Sequence, residues 1–107
     1  MTAVKSVTFV IGTDPSSGET IDPKGTREAL QTLLALEREG YIPRVDLNNF
    51  ACDPTDMIGP SVFVEIEGEP YRREHYGTGG IRHFVESVRS GTYAERFDGC
   101  LIVPAYL

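Results

Sequence analysis

The chain has 107 residues, 40% hydrophobic and 24% charged, enough for one buried core and too few for two. Ten Lys and Arg against sixteen Asp and Glu leave a net charge of −6, which argues against a nucleic-acid partner. No apolar run approaches the ~18 residues of a membrane span, and Met1 to Ser6 lack the form of a signal peptide, so a cytoplasmic protein is expected.

Residues 5–12 predict a strand. Val7, Phe9 and Ile11 share one face and Thr8 and Val10 the other. Residues 13–25 are dense in Asp-Pro, Ser and Gly, and each Asp-Pro keeps its Asp out of the helical region, so a long loop is expected here, of a length often used for binding. A first helix is predicted over residues 26–39, with Thr26 as N-cap and Leu30, Leu33 and Leu34 as its apolar stripe, widened by Ala29 and Leu36. Gly40 suits a left-handed stop.

A second strand is expected over residues 44–50, parallel to the first because a helix joins the two. Residues 51–59 form a second irregular segment. The third strand, residues 62–67, turns Val62, Val64 and Ile66 one way and Phe63, Glu65 and Glu67 the other. A tight turn at Gly68-Glu69 leads to a fourth strand over residues 70–76, where Tyr71, Arg73 and His75 share a face. Gly77-Thr78-Gly79-Gly80 is expected to break that strand. A second helix then runs from about Gly80 to Ser90, with Ile81, Phe84, Val85 and Val88 at helical spacing, and ends at Gly91. The tail, residues 91–107, carries Cys100-Leu101-Ile102-Val103, a short strand or a tail lying over an apolar surface.

The order strand, helix, strand, irregular segment, Pro, hairpin, helix resembles the thioredoxin and glutaredoxin superfamily. The motifs that carry the likeness are Ile58-Gly59-Pro60-Ser61-Val62-Phe63-Val64, the Gly68-Glu69 turn, and Gly77-Thr78-Gly79-Gly80 at the head of the last helix. The resemblance covers residues 7–91. It implies a single small thioredoxin-like α/β domain, with a central mixed sheet of four or five strands and two main helices. It also implies a cis bond before Pro60, and a groove where the Gly79 and Gly80 amides meet a peptide-like or anionic ligand. The same elements also suit a split α+β sandwich with two helices over one sheet.

The chain departs from that family at the thiol. The family's reactive Cys stands at the start of the first helix, whose N-terminus stabilises the thiolate. No Cys occurs between Met1 and Asn49; Ser16 and Ser17 lie in the corresponding loop, and serine cannot exchange disulfides. Cys52 and Cys100 are too few for a disulfide scaffold, and in a cytoplasmic chain two buried thiols are expected over a bridge.

Charge is unevenly spread. Residues 71–91 hold Arg72, Arg73, Arg82 and Arg89 against Glu74 and Glu86, net +2, so the remainder carries −8 of the total −6. Beside the free amides of a helix N-terminus, this basic island suits a small anion. The plainer reading is that each Arg pairs with a nearby Glu on the surface. His75 and His83 could act as general bases, but neither has a nucleophile at a recognisable spacing. Cys52, Asp53 and Asp56 fit no standard metal spacing, and the 12–18 loop lacks the Gly-Lys-Ser/Thr ending of a phosphate loop, so neither a metal nor a cofactor is expected.

These features favour a non-catalytic binding module holding a small anionic ligand or peptide in a groove formed by Pro60, Ser61, Arg72, Arg73, Gly79, Gly80, Arg82 and His83. The alternative is a small acidic interaction or inhibitor protein of the kind carried by phages and mobile elements, with a partner protein and a possible homodimer. An enzyme using His75 or His83 ranks third.

Overall fold

The computed structural model of the chain describes residues 4–51, 59–93 and 100–104; for residues 50, 51 and 100–104 it describes the backbone alone. The elements are β1 (Val4–Thr13), α1 (Pro23–Arg38), β2 (Val45–Ala51), β3 (Ser61–Ile66), β4 (Tyr71–Tyr76), α2 (Gly77–Ser90) and β5 (Cys100–Pro104). The result is a small α/β domain. Its sheet runs β2-β1-β3-β4, with β5 along the outer side of β4. β1 and β2 are parallel, as the intervening helix requires; β3 runs antiparallel to β1, β4 to β3, and β5 to β4. No helix among the described residues is long and apolar enough to cross a membrane.

Register fixes the faces. Val7 stands opposite Val64 and Val45, and Phe9 opposite Val62 and Leu47. Val62 in turn faces His75, and Val64 faces Arg73. Both helices pack on this one side. Ala29, Leu33 and Leu36 of α1 and Ile81, Phe84 and Val85 of α2 join Val7, Phe9, Val62, Val64 and Ile66 in one core. Ile11, Leu30, Leu34 and Val88, on the apolar faces the periodicity predicts, lie at the core's margin and are partly buried. The other face carries Thr8, Val10, Ser61, Phe63, Glu65, Arg72 and Glu74, by the alternation of side chains along each strand.

Both helices begin three residues before the predicted starts. The first is capped by Asp22 rather than Thr26: Asp22 adopts a left-handed φ of 51°, its carboxylate accepts from the Gly25 amide at 3.2 Å, and Pro23 opens the helix. The Asp-Pro pair does keep Asp22 out of the right-handed region, but it marks a helix start instead of a continuing loop. Gly25 is there for space. A Cβ on it would lie 2.2 Å from Asp22 Oδ2 and 2.7 Å from Thr78 Cγ2, so the first turns of the two helices can meet only at a glycine. The glycines of 77–80, read as a break, form the first turn of α2, and the Gly77 amide donates to the Pro60 carbonyl at 2.7 Å. At the other end α1 stops as expected at Gly40 (φ 85°), with the Tyr41 amide donating to Leu36 O and the Gly40 amide to Glu37 O.

The stretch after β1 is not loose. The Asp14 amide donates to Glu19 O, Gly18 to Asp14 O and Ile21 to Gly12 O, and the Ser16 amide and hydroxyl both donate to Asp14 Oδ1. Those two bonds from Ser16 hold the Asp14 carboxyl below the usual carboxylate range. The hairpin turn between β3 and β4 sits one residue earlier than predicted. Gly68 takes its third position, and the Glu69 amide closes it on Ile66 O.

Candidate functional site

The eight residues expected to line one groove do not meet in one place. No peptide bond among the described residues is cis, so Pro60 follows a trans bond and the geometry implied for the groove is absent. Pro60 is buried, with its carbonyl bonded to the Gly77 amide. Ser61 is buried on the face away from the helices, and its hydroxyl has no partner among the described residues. Arg72 lies on that same face, 3.7 Å from Glu65. Arg73 points the opposite way, beneath α2. Gly79, Arg82 and His83 are exposed on α2, while Gly80 lies over the His75 backbone, where an added Cβ would be 3.5 Å from the carbonyl carbon.

The plain reading of the basic island describes most of it. Arg72 pairs with Glu65, Arg73 with Glu69 and Arg89 with Glu39, each a carboxylate within this chain. Only for Arg82 is no ion pair formed among the described residues. The Arg89–Glu39 pair is exposed and bridges the ends of α2 and α1, so it contributes little.

Arg73 and His75 build a polar cluster inside the core instead. Arg73 is fully buried; its Nη2 donates to both carboxylate oxygens of Glu69 at 2.7 and 2.9 Å, and Nη1 reaches the Tyr93 carbonyl at 3.4 Å. The guanidinium carbon lies 5.3 Å from the centre of the Tyr93 ring, within cation–π range. Tyr93 also meets Phe84 edge-on at 4.8 Å, and its hydroxyl lies 3.0 Å from His75 Nε2. Tyr93 is not among the residues the sequence points to, because it lies in the tail after Gly91 and outside any periodic element. The signal that could have found it is an aromatic ring two residues past the glycine that stops α2. Chain returning over a helix end often packs such a group back onto the helix.

This cluster removes His75 as a general base. The side chain is 2% exposed, and burial, followed by the charges of His83 and Arg73, pushes it down to about 4. It is neutral at neutral pH and closed to substrate. Its effect falls on stability. The unfolded imidazole binds a proton near pH 6.5 while the folded one resists until about 4, so stability is full above 6.5 and falls as pH drops through this window. At ~1.4 kcal/mol per unit the loss is about 3–4 kcal/mol. Urea titrations across that window should show it, and His75→Phe should flatten the curve; a wild-type profile no steeper than the variant's would contradict the assignment.

On the face away from the helices, burial and then the Glu74 carboxylate, 2.6 Å away, push the Tyr76 hydroxyl up to about 12. That hydrogen bond ties the Tyr76 side chain to Glu74 at the end of β4. No cluster of three or more His, Cys, Asp or Glu among the described residues is arranged to hold a metal ion. Cys52, Asp53 and Asp56 lie outside the described residues, as does the Cys100 side chain, so the pairing of the thiols does too.

What the sheet leaves open is an edge. β2 is the outermost strand beside β1, and no described strand pairs with its other side. Asp46, Leu47, Asn48 and Asn49 are all exposed, and Leu47, at 60%, is the most exposed of the large hydrophobic residues among those described. Among the described residues the edge is closed at its start alone, where the Val45 amide donates to Glu37 Oε1 at 2.6 Å. No protein-family model, no curated protein and no solved structure matches this chain.

Proposed function

We propose that this chain is a small interaction domain that receives another polypeptide along the free edge of β2, built on a thioredoxin-like arrangement without that family's thiol chemistry. The observation that carries the reading is the exposed, regular run Asp46–Asn49 on an outer strand. An unpaired edge offers its amides and carbonyls to an added strand, and alternate side chains supply specificity. Natural edges are usually blunted by Lys, Pro or a bulge. Residues 45–51 contain neither Lys nor Pro, and they pair with β1 without a register shift.

The element order supports the thioredoxin-like part, as does the packing of both helices on one side of the sheet. The start of α1, where relatives of that kind carry their reactive Cys, is occupied here by the Asp22 carboxylate as a cap, which cannot take part in disulfide exchange. The anion-groove reading loses its support because Arg73 and Pro60 are buried and committed.

The test is a selection of short peptides from a displayed library, followed by amide chemical-shift mapping on the labelled chain. Selected peptides should perturb the amides of Asp46 to Asn49, and Leu47→Lys should weaken them at least about tenfold, since it places a gatekeeper charge on the edge. Peptides that instead perturb Gly79, Arg82 and His83 would overturn the edge reading and restore the site on α2.

A further inference from the structure

Resting on that reading of the β2 edge, we propose that the strand it receives is the β2 of a second copy of this chain, paired antiparallel about a two-fold axis centred on Leu47. The argument is one of self-complementarity. An axis normal to the sheet keeps every side chain on its own face, so odd positions face odd ones and even face even. Glu37 closes the edge at Val45, which leaves Asp46–Asn49 to centre the contact. Centring on Asp46 would set two carboxylates against each other, a destabilising like-charge pair. Centring on Leu47 sets Leu47 against the partner's Leu47 on the helix-bearing side. It sets Asp46 against the partner's Asn48, and Asn48 against the partner's Asp46, on the other side. Each exposed apolar side chain then meets its own kind, and each carboxylate meets an amide that donates to it.

The register with β1 supports this division of faces: Leu47 pairs with the core residue Phe9, and Asp46 and Asn48 pair with Thr8 and Val10. Within residues 45–51 Asp46 is the only charged side chain, so the edge itself carries little repulsion although each copy carries −6. The two sheets would join into one continuous sheet with β2 and its symmetry mate at the centre. A contact made by one strand edge falls short of the ~1,200 Å² typical of stable interfaces. The dimer is therefore weak and concentration-dependent, and it tightens with salt as the repulsion between the two acidic bodies is screened.

Sedimentation of the full chain from micromolar to millimolar concentration, at low and high salt, tests this. Wild type should shift from monomer to dimer, at lower concentration in high salt. Leu47→Lys should raise the dissociation constant at least about tenfold with an unchanged far-UV circular dichroism spectrum. Leu47→Cys under mild oxidation should give a dimer whose cross-linked peptide joins position 47 to position 47, since facing residues of an antiparallel pair lie within disulfide reach. A wild-type chain that stays monomeric at millimolar concentration overturns the second copy as occupant, as does a dimer untouched by Leu47→Lys. The peptide selection separates the two failures: if selected peptides still map to Asp46–Asn49, the edge reading stands with a different partner, and if they do not, both fall.

Discussion

Leu33→Ala is expected to cost about 4 kcal/mol of stability. Leu33 is fully buried at the centre of α1 and belongs to the core with Phe9, Val62 and Phe84, so truncation loses the transfer free energy of the side chain and leaves a cavity between helix and sheet. The total stability of a domain this size is ~5–15 kcal/mol, so the variant gives up a large share of it. Leu34→Ala, one position round the helix, removes a side chain that is only partly buried and should cost clearly less. Urea denaturation of both variants reads the difference directly. Equal losses would mean that α1 presents a different face to the sheet.

Glu69→Gln is expected to cost about 3 kcal/mol, the low end for breaking a buried ion pair, because Glu69 is about a third exposed while Arg73 is fully buried. The mechanism is the loss of one carboxylate from a guanidinium held buried under α2 and Tyr93. Arg73→Met in the Glu69→Gln background should recover part of that loss, since a flexible apolar side chain of similar reach takes the place of a buried charge that has lost its Glu69 carboxylate. The double-mutant cycle therefore has a large coupling energy. Losses that simply add would place Arg73 in solvent contact and reopen its reading as a ligand residue.

The sequence made the strands and the helix faces legible because both rest on local periodicity. Val62, Val64 and Ile66 alternate with Phe63 and Glu65 as expected, and Ile81, Phe84 and Val85 line the buried side of α2. The helix starts were less legible, because each depends on a partner outside the helix's own pattern. Asp22 caps α1 from a left-handed conformation, and Gly77 is fixed by the Pro60 carbonyl across the sheet. The site was hardest to read. An Arg in a basic run is expected at the surface. Arg73 sits inside because strand alternation aims it at the core and because Glu69 and Tyr93, four residues before it and twenty after, meet it there. Neither partner is visible from spacing. The strand at residues 44–50 is legible, but the exposure of Leu47 is not, since nothing in the sequence says which strand ends the sheet.

Hydrogen exchange along β2 tests the open edge most directly. Measured on the full chain from dilute to concentrated solution, at neutral pH and high salt, the edge amides within Asp46–Asn49 should exchange freely when dilute and become protected as concentration rises. The Leu47→Lys chain should lack that gain. Protection that is already complete in dilute solution and does not respond to concentration would contradict an edge free to receive a second strand.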